Sequence, residues 1–158
     1  MIEKDEFCEC IRQNENAMYS LAYSIVRNDA DAAEVLSESV YRAYKNLESI
    51  KNPKAFKTWI LRIVHNTAVE LIRRNSKTVL TYEIPPTPDN ECFESSFDLR
   101  NAVESLKQPY RTVVILFYYE NLSISKIAQI TDSNSVTVKK QLSRARNMLK
   151  ESLKEDFN

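Results

Sequence analysis

The stretch that decides the fold is NLSISKIAQITDSNSVTVKKQLSRARNMLK, Asn121 to Lys150. Ser123 is placed to cap a short helix carrying Ile124, Ile127 and Ala128. TDSNS (131–135) breaks the periodicity, and Ser133 or Ser135 can cap a second helix running to about Leu153. In that helix Val138, Leu142, Ala145 and Leu149 recur at helical spacing and predict a buried seam. Lys139, Lys140, Ser143, Asn147 and Lys150 spread over the opposite arc. Arg144 and Arg146 lie two apart and flank the seam on opposite sides. A short helix, a polar turn and a longer helix is the helix-turn-helix layout. A single helical hairpin can imitate it. From Thr137 to Lys150 the segment holds five cations and no acid. Its outer face suits base edges and its flanks suit phosphate.

The rest of the chain agrees with an all-helical fold. There is no glycine among 158 residues. Hairpins and phosphate-cradling loops draw on glycine for positive φ, so strands, Rossmann fingerprints and P-loops are excluded as expectations. Apolar residues make up 43% of the chain, enough for a core, yet none of its apolar runs is long enough to span a bilayer. The acidic start, MIEKDEFCEC, is no secretory signal. Cys8, Cys10 and Cys92 form no CxxC pair, which favours idle thiols over a disulfide or zinc site.

Three of the five prolines, Pro85, Pro86 and Pro88, fall in EIPPTPDN (83–90). This predicts a linker over 76–98 between two helical domains, 1–75 and 99–158. Pro53 and Pro109 read as helix starts. Charge alternates along the chain. Residues 1–50 carry five Lys/Arg and ten Asp/Glu, 51–75 six and one, 76–98 one and five, and 99–158 ten and six. The two basic blocks are either polyanion sites or solvated helix faces.

Upstream of residue 76, Met18, Leu21, Ala22, Ile25 and Val26 predict one helix. Asp29 or Asp31 caps a second, whose stripe is Leu36, Val40, Ala43 and Leu47. Its other face, Glu34, Glu38, Tyr41 and Lys45, is a solvated face or a protein-docking surface. After Pro53 a third helix places Phe56, Ile60, Ile63, Thr67 and Leu71 inward. Arg62, Asn66 and Arg73 share a face beside Trp59, and Arg with Asn next to an aromatic suits nucleic acid. A lone tryptophan is also a common core residue. In the second piece Leu99, Val103 and Leu106 are expected inside, and YRTVVILFYYE (110–120) is central. His65 is the only histidine and lacks a nucleophile or acidic partner at motif spacing. No catalytic residue, metal ligand or cofactor is expected, and the chain is not read as an enzyme.

Two stretches together resemble the extracytoplasmic-function sigma factors of bacterial RNA polymerase. DAAEVLSESVYRAYKNL (31–47) with AFKTWILRIVHNTAVELIRR (55–74) is similar to the family's region 2. SLKQPYRTVVILFYYENLSISKIAQITDSNSVTVKKQLSRARNMLK (105–150) is similar to its region 4. The resemblance implies a cytoplasmic transcription-initiation subunit that binds core RNA polymerase and promoter DNA. It also implies no small-molecule substrate, no membrane insertion, and an anti-sigma protein as the expected inhibitor. Glu34, Ser37, Glu38 and Tyr41 match the polymerase-binding positions. Arg62, Asn66, Arg73 and Arg74 match positions on the melted non-template strand, with 48–52 where the family captures a flipped base. Ser135, Thr137, Lys139, Lys140, Ser143, Arg144 and Arg146 match the duplex-reading helix. The chain departs from the family pattern at Ser37 (usually Gln), Glu70 (usually Asp), Asp132 and Val136 (usually Gly) and Gln141 (often Arg). An autonomous helix-turn-helix regulator is the competing reading, and the acidic first block speaks against it.

Overall fold

The computed structural model describes residues 2–78 and 99–157, all helix and turn. The first half holds α1 (Lys4–Val26), α2 (Asp29–Lys45) and α3 (Phe56–Thr78), with 3-10 turns at Leu47–Ser49 and Pro53–Ala55. The second holds α4 (Leu99–Glu104), α5 (Tyr110–Val114), α6 (Ile124–Thr131) and α7 (Ser135–Phe157). After α5 the helix widens into a π-turn over Ile115–Tyr119. The first three helices pack on one another; α5 and α6 pack on α7, and α3 packs on α6. The expected linker lies outside the described residues from 79 onward, while Ser76 to Thr78 belong to α3.

Without glycine, the chain places Arg27, Asn121 and Asp132 at positive φ. Arg27 ends α1 at φ 65°, its N–H on the Tyr23 carbonyl. Asp132 ends α6 at φ 58°, ψ 45°. Asn and Asp tolerate this region better than other residues with a Cβ, so the Asp132 turn forms as expected.

The caps differ from expectation by one to three residues. Asn28, not Asp29 or Asp31, caps α2, its Oδ1 accepting from the Asp31 N–H at 2.8 Å. Asn is among the strongest caps and stands just ahead of the first helical residue. The buried side of α2 is also rotated. Ala32, Val35, Ser39 and Ala43 face inward, while Leu36, Val40 and Leu47 pack at the margins. Small side chains let α2 approach α1 and α3 closely, so they take the centre. Ser39 is fully buried there and its hydroxyl has no partner among the described residues.

In α3, Phe56, Ile60, Thr67 and Leu71 are buried as expected, but so are Leu61, Val64 and Ala68, while Ile63 is half-buried. The helix is covered from two directions, by α1 and α2 and by α6, which widens its apolar sector. Leu99 is exposed, contrary to expectation, because it opens α4 ahead of Ala102, Val103 and Leu106, which are buried. Val113 to Leu116 are central, whereas Tyr118 and Tyr119 reach solvent.

Candidate nucleic-acid interface

The α6–α7 unit is fixed at every joint. Ser123 Oγ accepts from the Lys126 N–H at 3.2 Å and opens α6. At its end the Ser133 N–H reaches the Ala128 carbonyl at 2.9 Å. Asn134 caps α7, its Oδ1 accepting from the Thr137 N–H at 2.9 Å. The expected caps, Ser133 and Ser135, do other things: the Ser133 hydroxyl pairs with that of Thr131 at 2.9 Å, and Ser135 is the first helical residue.

Val138, Leu142, Ala145 and Leu149 bury the seam of α7. Ser135, Lys139, Lys140, Ser143, Arg144 and Arg146 are exposed and Thr137 is half-buried. Lys139, Lys140 and Arg144 make no ion pair among the described residues, so their charge is open to an outside anion. Arg146 is different. Its Nε donates to Tyr118 Oη at 2.6 Å, and its guanidinium lies 5.8 Å from both the Phe117 and the Tyr118 rings. The π-turn thus holds Arg146 against one flank of α7.

On α3, Arg62, Asn66, Arg73 and Arg74 are all exposed. Arg62 already has protein partners. Its Nη1 donates to the Gln129 carbonyl at 3.0 Å, and its Nη2 stands 3.5 Å from Asp132 Oδ1. Both acceptors sit at the end of α6, in the other half. Trp59 is half-buried, packed on Phe56 at 5.5 Å, with Nε1 donating to Ser49 Oγ at 3.3 Å. That bond ties α3 to the 48–52 turn.

Glu34, Ser37, Glu38 and Tyr41 form an exposed strip on α2. Lys45 Nζ lies 5.1 Å from the Tyr41 ring centre. Glu38 accepts from Arg42 Nε at 2.9 Å. Arg42 then forks onto Glu70 at 2.9 and 3.0 Å and reaches Thr67 at 3.3 Å. Sequence reasoning missed Arg42; the Glu38–Arg42 spacing of four was its one signal. Its hydrogen bonds hold the Glu70 carboxyl below the usual carboxylate range. Hydrogen bonding to Glu70 first, and to Glu38 next, raises the Arg42 guanidinium against the opposing effect of burial.

A second group escaped sequence reasoning altogether. The Ser24 carbonyl on α1 accepts from Arg111 Nε at 2.7 Å and from Gln108 Nε2 at 2.9 Å. The Ser24 hydroxyl pairs with Thr112 Oγ1 at 2.9 Å. Arg111 also donates to the Leu106 carbonyl at 2.6 Å. It is buried with two carbonyls as partners, and burial, aided by the Arg27 charge, lowers its pKa to about 10. Lys57 and Glu120 add a 3.5 Å pair across the same boundary. Beside them lies a cavity of about 320 Å³ with His65, Val69, Ile72, Pro109 and Val113 in its wall.

The Cys10 thiol is pushed up by burial first and by Glu6 and Glu9 next, which disfavours the nucleophilic thiolate. Among the described residues no cluster of His, Cys, Asp and Glu could hold a metal ion, and no helix is long and apolar enough to cross a membrane.

Comparison with known proteins agrees with this geometry. Residues 10–78 match the Sigma-70 region 2 family and residues 96–149 the Sigma-70, region 4 family. The RNA polymerase sigma factor SigV of Bacillus subtilis (strain 168) is 32% identical over 154 residues, covering 94% of this chain and 92% of its own. The ECF RNA polymerase sigma factor SigW of the same organism is 28% identical over 171 residues, covering 97% and 91%. In fold, the chain is similar to the sigma factor RpoE of Bartonella quintana, solved in complex with the anti-sigma factor NepR. There the TM-score is 0.77 at 22% identity, with 94% of this chain and 97% of that one covered. Two sigma regions in order, and a relative of this identity over nearly its full length, place the chain among the extracytoplasmic-function sigma factors of bacterial RNA polymerase.

Proposed function

We infer that the chain binds core RNA polymerase, directs it to promoters and takes part in opening them. Residues 99–158 read duplex DNA, residues 1–78 engage polymerase and the melted strand, and 79–98 join them. The observation that carries this division is the open cationic face of α7 on a helix whose opposite seam is buried. Entering a major groove, Ser143 and Lys140 meet base edges while Lys139 and Arg144 reach the two phosphate walls. The exposed strip Glu34, Ser37, Glu38 and Tyr41 is the surface for polymerase. Arg42 forks between Glu38 and Glu70, stiffening the strip without long side chains having to order on docking.

On α3, Arg62, Asn66, Arg73 and Arg74 are the residues for the melted strand. Arg62 makes bonds to Gln129 and Asp132 that a strand phosphate would have to replace. The free chain therefore holds its two DNA-binding parts against each other, and docking on polymerase separates them. An anti-sigma protein is the expected inhibitor. The similar fold of RpoE, which was solved with the anti-sigma factor NepR, supports this reading.

In vitro transcription on genomic fragments tests it. Core polymerase with the chain should initiate at cognate promoters, and neither component alone should. Lys139→Ala or Arg144→Ala should each lower the salt slope of duplex binding by about one unit if the lost contact is to phosphate. Tight, sequence-specific binding by the isolated chain would overturn the sigma reading.

A further inference from the structure

Val136 is 62% exposed, the most open large apolar side chain among the described residues. It is the second residue of α7. At 100° per residue Val136, Lys140, Ser143 and Asn147 stand at i, i+4, i+7 and i+11, on one ridge opposite the Val138–Leu142–Ala145–Leu149 seam. All other members of the ridge are polar. Nothing in the turn covers Val136, since Asp132, Ser133, Asn134 and Ser135 are exposed too. Nor does helix formation favour it, because a β-branched side chain loses χ1 freedom in a helix.

A single apolar side chain on a surface is ordinary; the position of this one is not. The N-terminal residues of a recognition helix are those that approach base edges. The Asn134 cap fixes where the helix begins, and so where Val136 points. The polar members of the ridge can pair with donors and acceptors in the groove. A branched aliphatic group can only match the one apolar feature there, the 5-methyl of thymine.

We propose that Val136 is a specificity-determining residue that reads a thymine methyl in the duplex promoter element. The proposal rests on the reading of α7 as the groove helix. Contact with the methyl removes two small apolar surfaces from water, and Lys139 and Lys140 nearby supply the electrostatic grip that brings them together.

The test uses the full chain assembled with core polymerase. Duplexes bound by this holoenzyme are selected from a random-sequence pool. Each thymine of the bound site is then replaced singly by deoxyuridine, which lacks only the methyl. One position should weaken binding about fourfold, the factor for one buried methyl-sized group. Val136→Ala should weaken the thymine duplex by a similar factor and become indifferent to deoxyuridine at that position. Val136 is exposed and alanine favours helix, so the variant keeps its fold. A scan in which no deoxyuridine matters, or in which Val136→Ala responds as the parent does, overturns the proposal. Lys139→Ala and Arg144→Ala separate the two levels. If they weaken binding while the scan is flat, Val136 alone is misassigned. If they bind unchanged, the groove reading falls and this inference with it.

Discussion

The two cationic helices, α7 and α3, carry similar charge but stand in different states. Lys139, Lys140 and Arg144 of α7 have no ion-pair partner among the described residues. Arg62 of α3 is bonded to the end of α6 through Gln129 and Asp132. One face is ready for an anion, and the other already has a substitute for one. On the proposal that α7 reads the duplex and α3 holds the separated strand, the difference sets an order of events. Duplex reading would then need only exposure, whereas strand capture would need the two halves to part. Such parting would also expose Ser24, Gln108, Thr112 and Arg111, which are hydrogen-bonded to one another across the halves.

The comparison breaks most completely if α7 loses its seat. Leu142 is 1% exposed in the seam. Leu142→Ala should destabilise the chain by about 2–5 kcal/mol, read as a fall in the urea midpoint. Duplex binding should fall with it. Intact binding at that loss of stability would mean that the cationic face does not depend on the seam behind it.

A finer change addresses the Arg62 contact alone. Asp132→Gly removes the carboxylate and leaves a residue at ease at φ 58°. The two effects on stability oppose each other. The exposed pair contributes at most about 1 kcal/mol, and relief of the left-handed backbone offsets part of it. Stability should therefore stay within about 1 kcal/mol of the parent. Binding of single-stranded DNA by the isolated chain should rise by up to about fivefold, the equivalent of that pair. Duplex binding should not change. A rise in duplex binding as well would show that the closed arrangement restrains both helices and that the contrast between them is false.

Much of this was legible in the residues, for identifiable reasons. The absence of glycine and the 3.6-residue periodicity lead to an all-helical chain, and the seam of α7 appears at each residue expected. Local chemistry was read slightly out of place. Asn28 and Asn134 cap where Asp29, Asp31, Ser133 and Ser135 were candidates, because adjacent residues of equal capping ability compete and only geometry chooses. The stripe of α2 was read from its largest side chains, while close packing selects its smallest. The contacts between the halves had no signature. Ser24 and Arg111 are 87 residues apart, and Arg62 and Gln129 are 67 apart. A serine carbonyl cannot be marked as an acceptor by its own side chain. For the exposed residues of α2, α3 and α7, spacing and residue type offered a functional face beside a solvated one, and the family likeness, which covers both halves, chose between them.

The smallest expected effect concerns His65, which lines the cavity between the two halves. Its Nδ1 is buried with no hydrogen-bond partner among the described residues. Burial is the leading cause that lowers its pKa from the ordinary value, 6.5. The Asn66 side chain and then Asp132 act in the opposite sense, and Arg62 adds to the lowering. The folded state therefore favours the neutral ring, and the unfolded chain binds the proton more readily. The contribution to stability is full above pH 6.5, the unfolded value, and is lost as pH falls through the lower folded value. Between pH 7.5 and 5 the urea midpoint of the parent should fall further than that of His65→Gln, whose side chain does not titrate. Because the cavity wall belongs to both halves, the same acidification should raise the binding of single-stranded DNA by the isolated chain, and His65→Gln should blunt that rise. Equal pH profiles for the parent and His65→Gln would remove His65 from the contact between the halves and leave Arg62 and the Ser24 cluster to account for it.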